Sequence, residues 1–131
     1  QIYKDIANKL KGNIIVVQKP SKNRSIIINI ISCLIQKYKH DLININVESD
    51  YDIAQQKLID NSYNIIIMDT DATNITDYLI KNTNNLNIIG ISKYIPTKKI
   101  VTLCDSVILS SSSTFQNEIN NELLRFLSIS D

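Results

Sequence analysis

Asn64-Ile65-Ile66-Ile67-Met68-Asp69 is an unbroken apolar run that closes on a carboxylate. Without polar alternation, a run of this length fits a strand covered on both faces, as strands are in a parallel sheet. Working upstream, Asn13-Ile14-Ile15-Val16-Val17-Gln18 has the same character, and downstream so has Asn87-Ile88-Ile89-Gly90-Ile91-Ser92. A fourth, shorter run is Ser106-Val107-Ile108-Leu109-Ser110. The stretch from Leu42 to Val47 differs, because Ile43, Ile45 and Val47 alternate with Asn. Clean alternation predicts a strand with one face less buried, at an edge of the sheet.

Amphipathic segments separate these runs. Pro20 and Ser21 open a helix whose apolar positions are Ile27, Ile30, Ile31, Leu34, Ile35 and Tyr38. Ser49 is positioned to cap a second helix, with Asp50 and Asp52 in its first turn, where carboxylates suit the helix dipole. Shorter helices are expected around Ile75 to Lys81 and Thr97 to Leu103. Ser113 and Gln116 have capping-box spacing before a last helix with Phe115, Ile119, Leu123, Phe126 and Leu127 on one face. Five strand–helix repeats of this length predict an α/β domain, a doubly wound five-stranded parallel sheet in (βα)5 order. The domain spans 13–131. Residues 1–12 read as a helix ended by Gly12, connecting to an upstream domain, and the start at Gln1 without Met suggests a piece of a longer protein.

Composition narrows the function classes. The 131 residues are 44% hydrophobic and 21% charged, with net charge +1 and scattered lysines. A nucleic-acid partner has no electrostatic footprint here. No apolar run approaches the roughly 18 residues of a membrane span, and no signal peptide is visible, so the expected setting is the cytoplasm. Cys33 and Cys104 lie in apolar periodic segments and read as buried free thiols. The abundance of Ile and Asn looks like an AT-rich coding sequence rather than a functional signal.

In doubly wound sheets ligands bind at the carboxyl ends of the strands. Here those ends are Gln18-Lys19, Asp69-Thr70-Asp71, Ser92-Lys93 and Ser110 to Ser113. Only two glycines occur, neither after the first strand, which argues against a dinucleotide site or a P-loop. The one histidine, His40, leaves no zinc set and no Ser-His-Asp arrangement. Ser110 to Ser113 at a helix start reads as a cap and polar loop, with anion binding through backbone N–H groups as the alternative.

With Asp69 ending the third strand and Ser92 the fourth, residues 13 to about 127 resemble the CheY-like receiver domains of two-component response regulators, which have the flavodoxin-like fold. In receivers the aspartate accepts a phosphoryl group. The resemblance also implies an acidic pair after the first strand to hold Mg²⁺, and a Lys ending the fifth. Gln18-Lys19 (or Val17-Gln18, in another register) and Ser110 stand there instead. Mg²⁺ demands oxygen ligands, so its binding is expected to be lost, leaving no cofactor or metal and a vestigial pocket of Asp69, Ser92, Gln18, Lys19, Asp71 and Ser110. A Lys19 ammonium turned into that pocket is expected to pair with Asp69 and lower its pKa.

Val16-Val17-Gln18-Lys19-Pro20-Ser21 and Ile108-Leu109-Ser110 look like the second, degenerate receiver of PleD-type regulators. That receiver is an adaptor, and a GGDEF domain of the same protein makes cyclic di-GMP. The segment from Pro96 to Asp105 is shorter than that family's fourth-helix region. The resemblance implies a domain with no enzymatic activity of its own that packs on another receiver in cis or in trans, or forms a homodimer, within a possible diguanylate cyclase. Arg24 is the candidate contact for cyclic di-GMP. The alternatives are a true phosphoacceptor acting through Asp69 and a small anion- or nucleotide-binding domain.

Overall fold

The computed structural model describes residues 12–38, 43–82 and 85–128. Five parallel strands form one sheet in the order β2-β1-β3-β4-β5. They are β1 (Gly12–Val17), β2 (Ile43–Glu48), β3 (Ile65–Asp69), β4 (Asn87–Ser92) and β5 (Ser106–Leu109). Between and after them run α1 (Lys22–Tyr38), α2 (Tyr51–Asp60), α3 (Thr73–Lys81), α4 (Lys98–Leu103) and α5 (Phe115–Ser128). The alternating strand–helix order is the doubly wound sheet expected from the apolar runs, in the flavodoxin-like, CheY-like arrangement that the resemblance implies. The expected helix over 1–11 and His40 lie outside the described residues.

The central strands are buried on both faces because consecutive apolar residues, Ile14–Val17 in β1 and Ile65–Met68 in β3, fill their middles. Ile14 and Val16 pack with α1 and α5, against Ile27, Ile31, Ile119 and Leu123. Ile15 and Val17 face the other way, onto Ala54 of α2, Ile75 and Leu79 of α3, and Cys104 just after α4. All four of these β1 side chains are fully buried. Each such burial stabilises the fold by about 1.5–3 kcal/mol. Gly90 is required by the close approach of Thr70, after β3, and Cys104, after α4: a Cβ there would lie 2.9 Å from Thr70 Cγ2 and 3.0 Å from Cys104 Sγ.

β2 is an edge strand, as its alternation predicts, and past Ile43 its residues are only partly covered or exposed. The ends of elements depart from expectation by a residue or two. Gly12 is already the first residue of β1, paired with Ile43, so the domain's first strand begins one residue earlier than expected. Asp50, not Ser49, caps α2, its carboxylate accepting from the N–H groups of Asp52 and Ile53. Before α5 the Ser113–Gln116 pair is not used. Ser112 Oγ accepts from Thr114 N, while Glu118 accepts from Ser112 Oγ and Thr114 Oγ1. Cys33 is exposed on α1 and only Cys104 is buried; both thiols are free. No helix of the described residues is long and apolar enough to cross a membrane.

Candidate functional site

The strand order places the ends of β1, β3, β4 and β5 around a cavity of about 290 Å³, lined by Gln18, Lys19, Tyr51, Asp69, Asp71, Ser92 and Ser110 among others. The sequence-predicted site residues are therefore brought together. Parallel pairing does this directly, since β1 registers along β3 to Met68 and β4 to Asp69. The turn after Asp69 is tight, with Ala72 N bonding to Asp69 O and Thr70 N to Ile91 O.

Asp69 is partly buried, and three neutral donors meet its carboxylate. Gln18 Nε2 donates to Oδ1 at 2.9 Å, and Tyr51 Oη donates to Oδ2 at 3.1 Å. The backbone N–H of Lys19 also points at Oδ2, at 3.3 Å. Gln18 is only 2% exposed, and its backbone N–H bonds to Glu48 O at the end of β2. With its N–H toward the carboxylate, Gln18 Oε1 is buried without a hydrogen-bond partner among the described groups. Leaving such an acceptor unmet costs about 1–3 kcal/mol. Turning the amide over would set two acceptors against each other at Asp69, so the bond to the charged group decides the orientation.

Tyr51 is the residue the sequence reading missed. Asp50 caps α2 immediately before it, and Asn74 Nδ2 of α3 donates to its carbonyl oxygen at 3.1 Å. So placed, its hydroxyl lies 3.1 Å from Asp69 Oδ2 and 3.3 Å from Asp71 Oδ1. Burial, then the charges of Asp69 and Asp71, push the phenol pKa well above its usual value. A tyrosine in the first turn of a helix carries no chemical signature by itself. The available signal was positional: it follows a capping aspartate at the carboxyl end of an edge strand.

The Lys19 side chain departs from expectation. Its ammonium does not pair with Asp69 but lies over the Tyr51 ring, 4.6 Å from the centroid. Such stacking keeps the cation beside the aromatic face and partly in water. Asp71 is exposed and shares the Tyr51 hydroxyl with Asp69.

On the β4–β5 side the polar groups turn to the backbone. Ser92, 5% exposed, donates its hydroxyl to Tyr94 O at 2.5 Å. Ser110 is tied by its main chain, its N–H to Ser92 O and its carbonyl to Asn23 Nδ2. Arg24 braces the turn before α1, with Nη1 3.4 Å from Gln18 O and its N–H on Ser21 Oγ. Ser112, part of the expected anion loop, is committed to Glu118.

No protein-family model matches the chain, and no curated protein matches it. Solved structures do. The Francisella response regulator 1452 receiver domain is 17% identical, with 92% of this chain and 100% of that chain covered at a TM-score of 0.66. A response regulator from Thermotoga maritima is 12% identical over 91% and 99%, at 0.67. The response regulator protein TrrA of the same organism, solved in complex with Mg(2+)-BeF, is 16% identical over 87% and 97%, at 0.60. At these identities the likeness establishes the fold.

Proposed function

We propose that this receiver-fold chain is a regulatory adaptor of a two-component signalling protein, acting through contacts with another receiver and taking no phosphoryl group itself. The carrying observation is the amide of Gln18 donating to Asp69 Oδ1 at 2.9 Å. Where the resemblance calls for a carboxylate that would hold a cation, this side chain presents N–H, which repels one. Mg²⁺ demands near-octahedral oxygen coordination. Asp69 and Asp71 are the carboxylates at hand, and among the described residues no three His, Cys, Asp or Glu side chains cluster as a metal set. The donor set does not fit Mg²⁺.

The charge of Asp69 is met instead by Gln18, Tyr51 and the Lys19 N–H. Just after β5, where the resemblance calls for a Lys, stands Ser110, and its main-chain N–H and carbonyl are already hydrogen-bonded. The Ser92 hydroxyl proton is committed to Tyr94 O. The cyclic di-GMP setting rests on the resemblance of Val16–Ser21 and Ile108–Ser110 alone, and Arg24 sits on the Gln18 carbonyl rather than reaching out from the helix.

Intact-mass spectrometry after treatment with acetyl phosphate and Mg²⁺ tests the proposal. The expected result is an unchanged mass. A phosphoryl adduct located on Asp69 overturns the adaptor reading in favour of a working phosphoacceptor.

A further inference from the structure

The helical layer of α2, α3 and α4 ends in two exposed faces of opposite character. On α2, Asp52, Ile53, Gln56, Ile59 and Asp60 are all exposed. At 100° per residue they share an arc of about 120°. Ile53 and Ile59 are 50% and 52% exposed. The helix's lysine, Lys57, is tied to Glu48 at 2.9 Å and does not offset these carboxylates. Asp60 accepts from neutral Gln56 and Asp52 from neutral Asn74 rather than from a cation.

At the other end, Lys93-Tyr94-Ile95 leads into α4. Tyr94 is 80% exposed, Ile95 89% and Val101 55%. Lys99 is held by Asp77 at 2.9 Å, whereas Lys93 and Lys98 form no ion pair with a described residue. The Ser92–Tyr94 bond fixes the loop, so this apolar pair is presented outward. One face thus combines carboxylates with two isoleucines, and the other combines two unpaired lysines with three large apolar side chains. Adjacent exposed apolar groups rimmed by charge mark contact surfaces, and opposite charge sets which surfaces meet.

We propose that the α2 face of one copy of this chain docks on the β4–α4 face of a second, head to tail. The two faces are different and lie at opposite ends of one layer. The contact is therefore heterologous: a pair of copies still offers one free face of each kind, and association continues beyond two. The proposal builds on the adaptor reading by naming the partner as another copy of the same domain. Its readout is mass in solution, not phosphorylation, so either idea can fail without the other.

Sedimentation equilibrium of the full chain tests it. The weight-average mass is expected to exceed one chain, to grow with concentration past two, and to fall as NaCl screens the charges. Reversing one face with Q56K/D60K, or the other with K93E/K98E, is expected to weaken association roughly tenfold. Mixing the two variants in equal amounts restores it, because the basic α2 face of one then meets the acidic β4–α4 face of the other, and the restoration also shows both are folded. A mass of one chain at every concentration overturns the proposal. So does association that the reversals leave unchanged, or that mixing fails to restore.

Discussion

The two halves of the pocket rim treat their polar side chains differently. On the β1–β3 side a carboxylate is kept and surrounded: Asp69 meets Gln18, Tyr51 and the Lys19 N–H. On the β4–β5 side the polar groups are turned onto main-chain atoms, Ser92 to Tyr94 O and Asn23 to Ser110 O. The first half carries a charge whose environment is chosen atom by atom, so it is sensitive to what replaces each donor. The second half is closed on itself, and its changes stay local. The lesson is that one pocket rim can commit its polar groups in two ways, by neutral donors around a carboxylate and by side chains turned onto the main chain of the opposite wall.

The largest break in this comparison is expected from Gln18→Glu. It sets a second carboxylate against Asp69 in a nearly closed site and removes the N–H that held it. The fold should lose about 2–4 kcal/mol at neutral pH without divalent cations. Mg²⁺ should return part of that loss, read as a shift of the urea midpoint on adding MgCl₂. An unchanged midpoint would show that the Gln18 amide is not what holds Asp69.

Tyr51→Phe removes the shared hydroxyl and should cost about 1–2 kcal/mol. It should also change the alkaline limb of stability. The folded phenol pKa lies above the unfolded value of about 10, so its stabilisation is complete below that pH and is lost as pH rises beyond it. Cys104 is pushed up to about 11 by burial and then by Asp105, so its contribution fades between about 9 and 11. The Phe variant should keep the Cys104 part of the decline and lose the steeper part above it. Identical alkaline profiles would sink the assignment of Tyr51 to the carboxylate pair.

Ser92→Ala is expected to have the smallest effect, about 1 kcal/mol, because one neutral hydrogen bond to a main-chain oxygen is lost. Amide signals from Lys93 to Thr97 should move while those of Gln18, Lys19 and Asp69 stay in place. Coupled shifts on the β1–β3 side would mean the two halves are not independent.

The interior of this fold was legible because its signal is collective. In β1 and β3 several consecutive apolar residues agree, and the Asn alternation in β2 marked the edge. Ends were harder, since neighbouring residues can serve as caps equally well by type. Ser49 and Asp50 compete at α2, as do Ser112, Ser113 and Thr114 at α5, and tertiary register picks the winner. The membership of the pocket was readable because parallel strands bring their ends to one rim. Its bonding was not. Whether Lys19 turns to Asp69 or onto an aromatic ring depends on where Tyr51 stands, and that is set by the Asp50 cap and Asn74, distant in sequence from Lys19.

Three neutral donors hold the Asp69 carboxylate, and on the adaptor reading they leave it no use for a cation. An NMR titration of the wild-type chain with millimolar MgCl₂, following the Gln18 side-chain amide and the Lys19 and Asp69 backbone signals, tests it most directly. No saturable shift is expected at these positions, and the Gln18 amide signal should stay unchanged. Saturable, site-specific shifts centred on Gln18 and Asp69 would contradict that reading.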